Sequence, residues 1–166
     1  MIRPSDVLVL LALHLMKPGW TLRSLADRLA VKHSKVQRAV DRLRPAGLYD
    51  ARRRQIVPHA ADEFLLHGLK YIHPVEEGVL ARGVPTAWAA SPLREEIAST
   101  DELPPVWPDP RGTVRGLSVE PLDASLPRLA ASWPEIAELA ALLDAVRLGD
   151  ARVREAAGRH LRARLQ

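Results

Sequence analysis

The chain has 166 residues, no Cys and only seven aromatic rings, against 47% hydrophobic residues. Without Cys there is no disulfide scaffold, no Cys-ligated zinc site and no thiol chemistry, and a core of Leu, Val, Ile and Ala favours helices over a sheet sandwich. Net charge is +4, unevenly spread: residues 1–72 hold 13 Lys/Arg against six Asp/Glu, and residues 73–166 hold 11 against 14. A basic half beside a mildly acidic one is the balance expected of a polyanion binder with a second, differently employed part.

In chain order, Ser5 or Asp6 can cap a first helix running to about Lys17, which Pro18-Gly19 ends. Its apolar run, Val7 to Met16, is too short to span a bilayer, and Asp6 and His14 break the pattern of a secretory signal, so it reads as a core helix of a cytoplasmic protein. Thr21 caps a second helix to about Leu29, with Leu22, Leu25, Ala26 and Leu29 at helical spacing. After a turn at Ala30 to Lys32, a third helix reaches about Arg44 with Val36, Ala39, Val40 and Leu43 on one face. Pro45-Ala46-Gly47 stops it. Leu48-Tyr49 and Gln55-Ile56-Val57 flank Asp50 to Arg54 as a hairpin, and a fourth helix follows over about Ala60 to Tyr71.

Residues 73–131 read as an irregular stretch containing Pro and Trp, with one strand near Val114 to Val119. The run Leu103-Pro104-Pro105-Val106-Trp107-Pro108-Asp109-Pro110 cannot be helix. Order returns at Ser132-Trp133-Pro134-Glu135, a capping-box pattern with Pro in the first turn. A helix with Ile136, Leu139, Ala140, Leu143 and Val146 on one side leads through Gly149 to a last helix, Asp150 to about Leu165. Residues 132–166 thus form a helical hairpin. Its apolar face is either a dimer interface or a cover for the fourth helix of the same chain.

The third helix turns a polar, basic face away from its apolar one: His33, Ser34, Lys35, Gln37, Arg38, Asp41 and Arg42. The major groove admits one helix, and Gln and Arg pair bidentately with adenine and guanine edges, so Gln37 and Arg38 are the base-reading candidates. Ser34, Lys35 and Arg42 are expected on phosphates, with His33 beside them, and Thr21 and Arg23 lie where the second helix would meet the backbone. Arg52, Arg53 and Arg54 occupy the hairpin tip, within reach of phosphates or a narrow minor groove.

The order helix, helix, turn, helix, hairpin, with the exit Ala46-Gly47-Leu48, resembles the winged helix-turn-helix of MarR-like bacterial transcription regulators over about residues 5–70. The resemblance implies a mainly α fold with a small β-hairpin wing, and a regulator that binds double-stranded DNA as a homodimer. Two positions depart from the family pattern. Ala30 stands where Gly is usual, and Lys32 stands at the expected N-cap, where it caps poorly and opposes the helix dipole.

No phosphate loop, His-Glu-x-x-His or nucleophile elbow is present, so no enzyme, cofactor or metal is expected. Glu63, His67 and His73 are conceivable ligands, and Arg154 with His160 matches an Arg-x5-His ribonuclease spacing. Arg28/His33 and Arg54/His59 meet the looser form of that pattern equally well, which makes it cheap in an Arg-rich chain. The competing reading is an antitoxin-like or accessory protein. It would bind a partner encoded in the same operon through residues 74–166, with DNA contact autoregulatory.

Overall fold

The computed structural model describes residues 1–97 and 101–166. It is mainly helical, with a small antiparallel two-stranded sheet and a C-terminal pair of helices. Residues 98–100 of the expected irregular stretch lie outside the described residues.

Helix α1, Pro4–Leu15, is the centre of the molecule. Pro4 occupies its first turn, where the missing N–H costs nothing, and Asp6 reaches back to accept the Arg3 N–H at 2.8 Å. Every residue from Asp6 to Leu13 is buried. A helix apolar all round must be covered on all sides, and α1 is: α2 (Leu22–Leu29) and α3 (His33–Leu43) pack on one side and α8 (Pro134–Leu148) on another.

Thr21 caps α2 as its sequence implies. Its hydroxyl accepts the Ser24 N–H, and the Ser24 hydroxyl accepts the Thr21 N–H in return. The α2–α3 turn is made by Ala30 in the left-handed region, φ 54°, so a Cβ sits where Gly is normally preferred. Helix α3 begins at His33 with Lys32 in the N-cap position and no side-chain cap. Strands β1 (Tyr49–Asp50) and β2 (Gln55–Ile56) pair antiparallel, Tyr49 with Ile56 and Asp50 with Gln55.

Pro58 starts the next helix. Helix α4 (Pro58–Glu63), a π-helical turn (Phe64–Gly68) and α5 (Leu69–Ile72) run end to end with helical backbone throughout. The stretch expected to be irregular is more regular than its Pro content suggests. Strands β3 (Leu80–Pro85), β4 (Pro105–Pro108) and β5 (Val114–Ser118) close on one another: β3 pairs antiparallel with both others, and β4 and β5 pair parallel. Only the β5 region was legible as strand. Prolines end or edge the strands, and Gly83 and Gly116 let the backbones approach; a Cβ at either would collide with the Trp107 or Pro104 carbonyl.

Short helix α6 (Leu93–Glu96), α7 (Leu126–Ser132), α8 and α9 (Ala151–Leu165) complete the chain. A single apolar core runs from Val7 to Leu165 and takes side chains from residues 1–72, 73–131 and 132–166 alike. The apolar side of α8 from Ile136 to Val146 is buried within the chain, chiefly against α1, α7 and α9 and only slightly against residues 64–72 of the expected fourth helix. Two buried charges hold the second half in place. The Asp144 carboxylate accepts Thr86 Oγ1 and Trp107 Nε1, both at 2.7 Å, and pairs with Arg147 at 3.0 Å. Arg147 also donates to the His73 and Glu120 carbonyls. Burial pushes the Asp144 carboxyl up from its ordinary range, and Arg147, Thr86 and Trp107 work against that.

The strained turn gives a direct check. Replacing Ala30 with Gly removes the left-handed Cβ penalty and should raise the unfolding free energy by about 0.5–1 kcal/mol, after the extra unfolded-state freedom of Gly is subtracted. Urea unfolding should show a higher midpoint at unchanged slope; a lower midpoint would contradict the strain assignment.

Candidate nucleic-acid interface

Helix α3 is set on the core by Val36, Ala39 and Leu43, all buried. At 3.6 residues per turn, the opposite stripe is then His33, Ser34, Gln37, Arg38 and Asp41. His33, Ser34, Arg38 and Asp41 are exposed and Gln37 is half-buried. Gln37 donates to Asp41 at 3.0 Å along the same face. Among the described residues no carboxylate or carbonyl engages Arg38, His33 or Ser34.

Lys35 and Arg42 lie two turns apart on the flank of α3, and both are turned to the protein itself. Arg42 grips Asp6 with two parallel bonds of 2.7 Å, Nε to Oδ2 and Nη2 to Oδ1. The Asp6 side chain is 1% exposed and that of Arg42 23%. Hydrogen bonding to Asp6 raises the Arg42 pKa further above its ordinary value, against the effect of burial. Lys35 pairs with Asp123 in the connection before α7. Burial pushes the Asp123 carboxyl up, but Lys35 and the Ser125 hydroxyl and N–H outweigh it and hold the group below its usual range. Expected on phosphates, Arg42 is thus a core partner, and Lys35 is shared with an ion pair.

The hairpin sorts its arginines in the same way. Arg54, at φ 55°, lays its guanidinium 4.7 Å from the Trp20 ring and donates to the Trp20 carbonyl at 2.6 Å. The Trp20 indole N–H returns a bond to the Arg54 carbonyl at 3.0 Å, and Trp20 meets Tyr49 edge-on at 6.3 Å. Arg54 is therefore the residue that straps the hairpin to the α1–α2 connection. Asp50 accepts the N–H groups of Arg52 and Arg53, led by Arg53, which holds its carboxyl below the usual range and shapes the tip. The Arg52 side chain has no partner among the described residues, and Arg53 is 76% exposed with a loose contact to Asp50 at 3.8 Å.

On α2, Thr21 spends its hydroxyl on capping, while Arg23 is exposed and unpaired among the described residues. The residues that expose unengaged polar groups are thus Arg23, His33, Ser34, Arg38, Arg52 and, weakly held, Arg53. Thr21, Lys35, Arg42 and Arg54 are held by the fold. The sequence reading missed Trp20 as the anchor of the hairpin. It also missed Arg28 and Arg128, which carry the α2–α3 unit onto α7: Arg28 stacks on Trp133 at 4.4 Å, and Arg128 reaches the Ala30 carbonyl at 3.5 Å. A Trp directly after Pro-Gly in a chain poor in aromatics was the available signal for Trp20.

The rejected ribonuclease pair is differently occupied. His160 shares Glu96 with Arg159 and contacts Arg164, whereas Arg154 donates to the Val146 carbonyl. Among the described residues, no His, Asp or Glu set of three is placed to hold a metal ion, and no helix is long and apolar enough to cross a membrane. Compared with known proteins, the chain matches no protein-family model, no curated protein and no solved structure.

Arg42 separates a structural from a binding role. Arg42→Ala leaves the Asp6 carboxylate buried without its cation and should cost about 3 kcal/mol of stability, the low end for a broken buried pair because Arg42 is itself partly exposed. Thermal unfolding checks this; a loss below about 1 kcal/mol would mean that water reaches Asp6 and that the pair behaves as a surface one.

Proposed function

We propose that the protein is a DNA-binding transcription regulator of winged helix-turn-helix type, MarR-like in its first 70 residues. The observation that carries the proposal is the outward stripe of α3, which is polar, basic at Arg38 and, at that residue, without partners among the described residues, in a chain whose next element is an arginine-tipped hairpin. In this reading α3 enters the major groove. Arg38 reads guanine and Gln37 adenine, once the Gln37–Asp41 bond is exchanged for a base edge. Ser34 and His33, at the N-terminal end of α3, and Arg23 on α2 hold phosphates, and Arg52 and Arg53 follow the adjacent backbone or minor groove.

Lys35 and Arg42 set how α3 is rolled rather than touching DNA. Arg54 and Trp20 fix the hairpin so that Arg52 and Arg53 project. Arg28, on Trp133, couples the unit to the C-terminal helices. A palindromic site would call for two copies. Because the Ile136–Val146 face is covered, the pairing surface, or that of an antitoxin-like partner, has to lie elsewhere. Tyr71, Ile72, Val79 and Leu80 are the large apolar side chains left exposed near the α5–β3 connection.

Fluorescence anisotropy of a duplex from upstream of the gene, against a shuffled duplex across a salt series, tests the proposal. Arg38→Ala should cost about 1–3 kcal/mol on the native duplex and narrow the preference. Arg52→Ala should weaken both duplexes alike and lower the salt slope by about one. Equal binding of both duplexes that vanishes with salt would reduce the face to a non-specific polyanion surface.

A further inference from the structure

A cleft of about 360 Å³ opens between the rod α4–α5 and the middle of α9. Its walls bring together His67 and Lys70 from the rod and Arg154, Arg159 and Arg162 from α9, with Glu155 the one carboxylate among them. Residues 154, 155, 158, 159 and 162 are spaced to lie along one face of α9, and Gly158 keeps the middle of that face low, its nearest neighbour being Leu66 at ordinary contact distance. The π-helical turn at Phe64–Gly68 contributes Leu66 and His67 to the opposite wall. Single π turns of this kind recur at functional sites.

The cations of this cleft are not neutralised from within. Arg159 is paired with Glu96. Arg154 uses only its Nε, on the Val146 carbonyl at 3.2 Å, which leaves both terminal amino groups unbonded among the described residues. Arg162 has no partner among the described residues, and Lys70 only packs over the Tyr71 ring at 5.1 Å. The first turn of α9 carries Arg152 and Arg154, and its N-terminus is already answered by the Asp150 carboxylate, which accepts the Val153 N–H at 2.9 Å, so what remains uncompensated is the repulsion among the cations themselves. Solvated arginines normally spread over a convex face. Here they line a concave one together with Leu66 and Val146, where the field is focused and an anion would relieve their mutual repulsion.

The geometry points to a binding site for a small molecule carrying two or more contiguous phosphates, such as a nucleoside di- or triphosphate or an inorganic oligophosphate. Arginine forks take phosphate oxygens in pairs, Arg154 and Arg162 line one face of α9, and Lys70 lines the opposite wall as a point charge. The cleft volume is that of a small-ligand pocket rather than of a duplex track. None of the residues proposed to contact DNA lines this cleft, so the site stands or falls independently of the DNA-binding reading.

Isothermal titration calorimetry of the full chain at physiological ionic strength, with inorganic triphosphate, ATP and adenosine, tests the site. Triphosphate and ATP should bind at one site per chain, and adenosine should not. Arg154→Gln with Arg162→Gln should weaken both ligands by about tenfold or more, and Lys70→Gln alone, which breaks no backbone bond, should weaken them several-fold at unchanged Tm. Tighter binding of ATP would assign a nucleotide, and equal affinity would assign the phosphate chain alone. Absence of binding, binding that survives the substitutions, or a loss as large in Arg38→Ala would overturn the proposal.

Discussion

A carboxylate with almost no exposed surface sits in the first helical turn of α1, at the edge of the apolar core. Asp6 has to be answered by a cation and by hydrogen bonds, because an unpaired buried charge would cost several kcal/mol. The answer comes from Arg42, with the Arg3 N–H filling a further lone pair. A bidentate bond of this kind fixes direction as well as distance. With Arg42 tied to α1 near one end of α3 and Lys35 tied to Asp123 near the other, α3 has little freedom to roll about its axis. The apolar residues Val36, Ala39 and Leu43 set the same roll from the core side. The stripe containing Gln37 and Arg38 faces outward as a consequence, so a core ion pair sets which side chains α3 presents to solvent.

The second half is held by the same device at larger scale. Asp144 and Arg147 on α8 collect Thr86, Trp107 and the carbonyls of His73 and Glu120, so one buried pair gathers the start, middle and end of the Pro-containing stretch. Closed pairing of β3, β4 and β5 then satisfies backbone groups that the prolines leave awkward, while Gly83 and Gly116 allow the close approach. Because α1 packs against α3 on one side and α8 on another, the α1–α3 unit and the C-terminal helices share one core.

Local signals in the sequence carried the helices and the hairpin well. Thr21 capping α2, Pro45-Ala46-Gly47 ending α3 and Pro134 in the first turn of α8 are short-range chemistry, legible without the fold, but the capping box expected at Ser132–Glu135 does not form, since Ser132 ends α7 and Trp133 stands uncapped before α8. The Ala30 departure also proves intelligible: the turn takes the left-handed conformation that Gly would supply and pays in strain. Strand pairings between residues tens of positions apart were not legible, since each strand is short and broken by Pro. Nor could the sequence show which arginines the fold itself engages. Arg38 lies opposite the apolar stripe and Arg42 on its flank, both on the polar side, and a guanidinium suits a phosphate and a carboxylate equally. What decided between them was the location of Asp6, 36 residues away.

The account turns on where a duplex meets the chain. Amide hydrogen exchange with and without a bound upstream duplex measures this directly. The expected result is slowed exchange over residues 21–24, 33–41 and 50–55, with α8 and the closed strands β3 to β5 unchanged. Slowing confined to residues 60–72 and 151–162, or to the connection around Tyr71 to Leu80, with α3 and the hairpin unaffected, would contradict it.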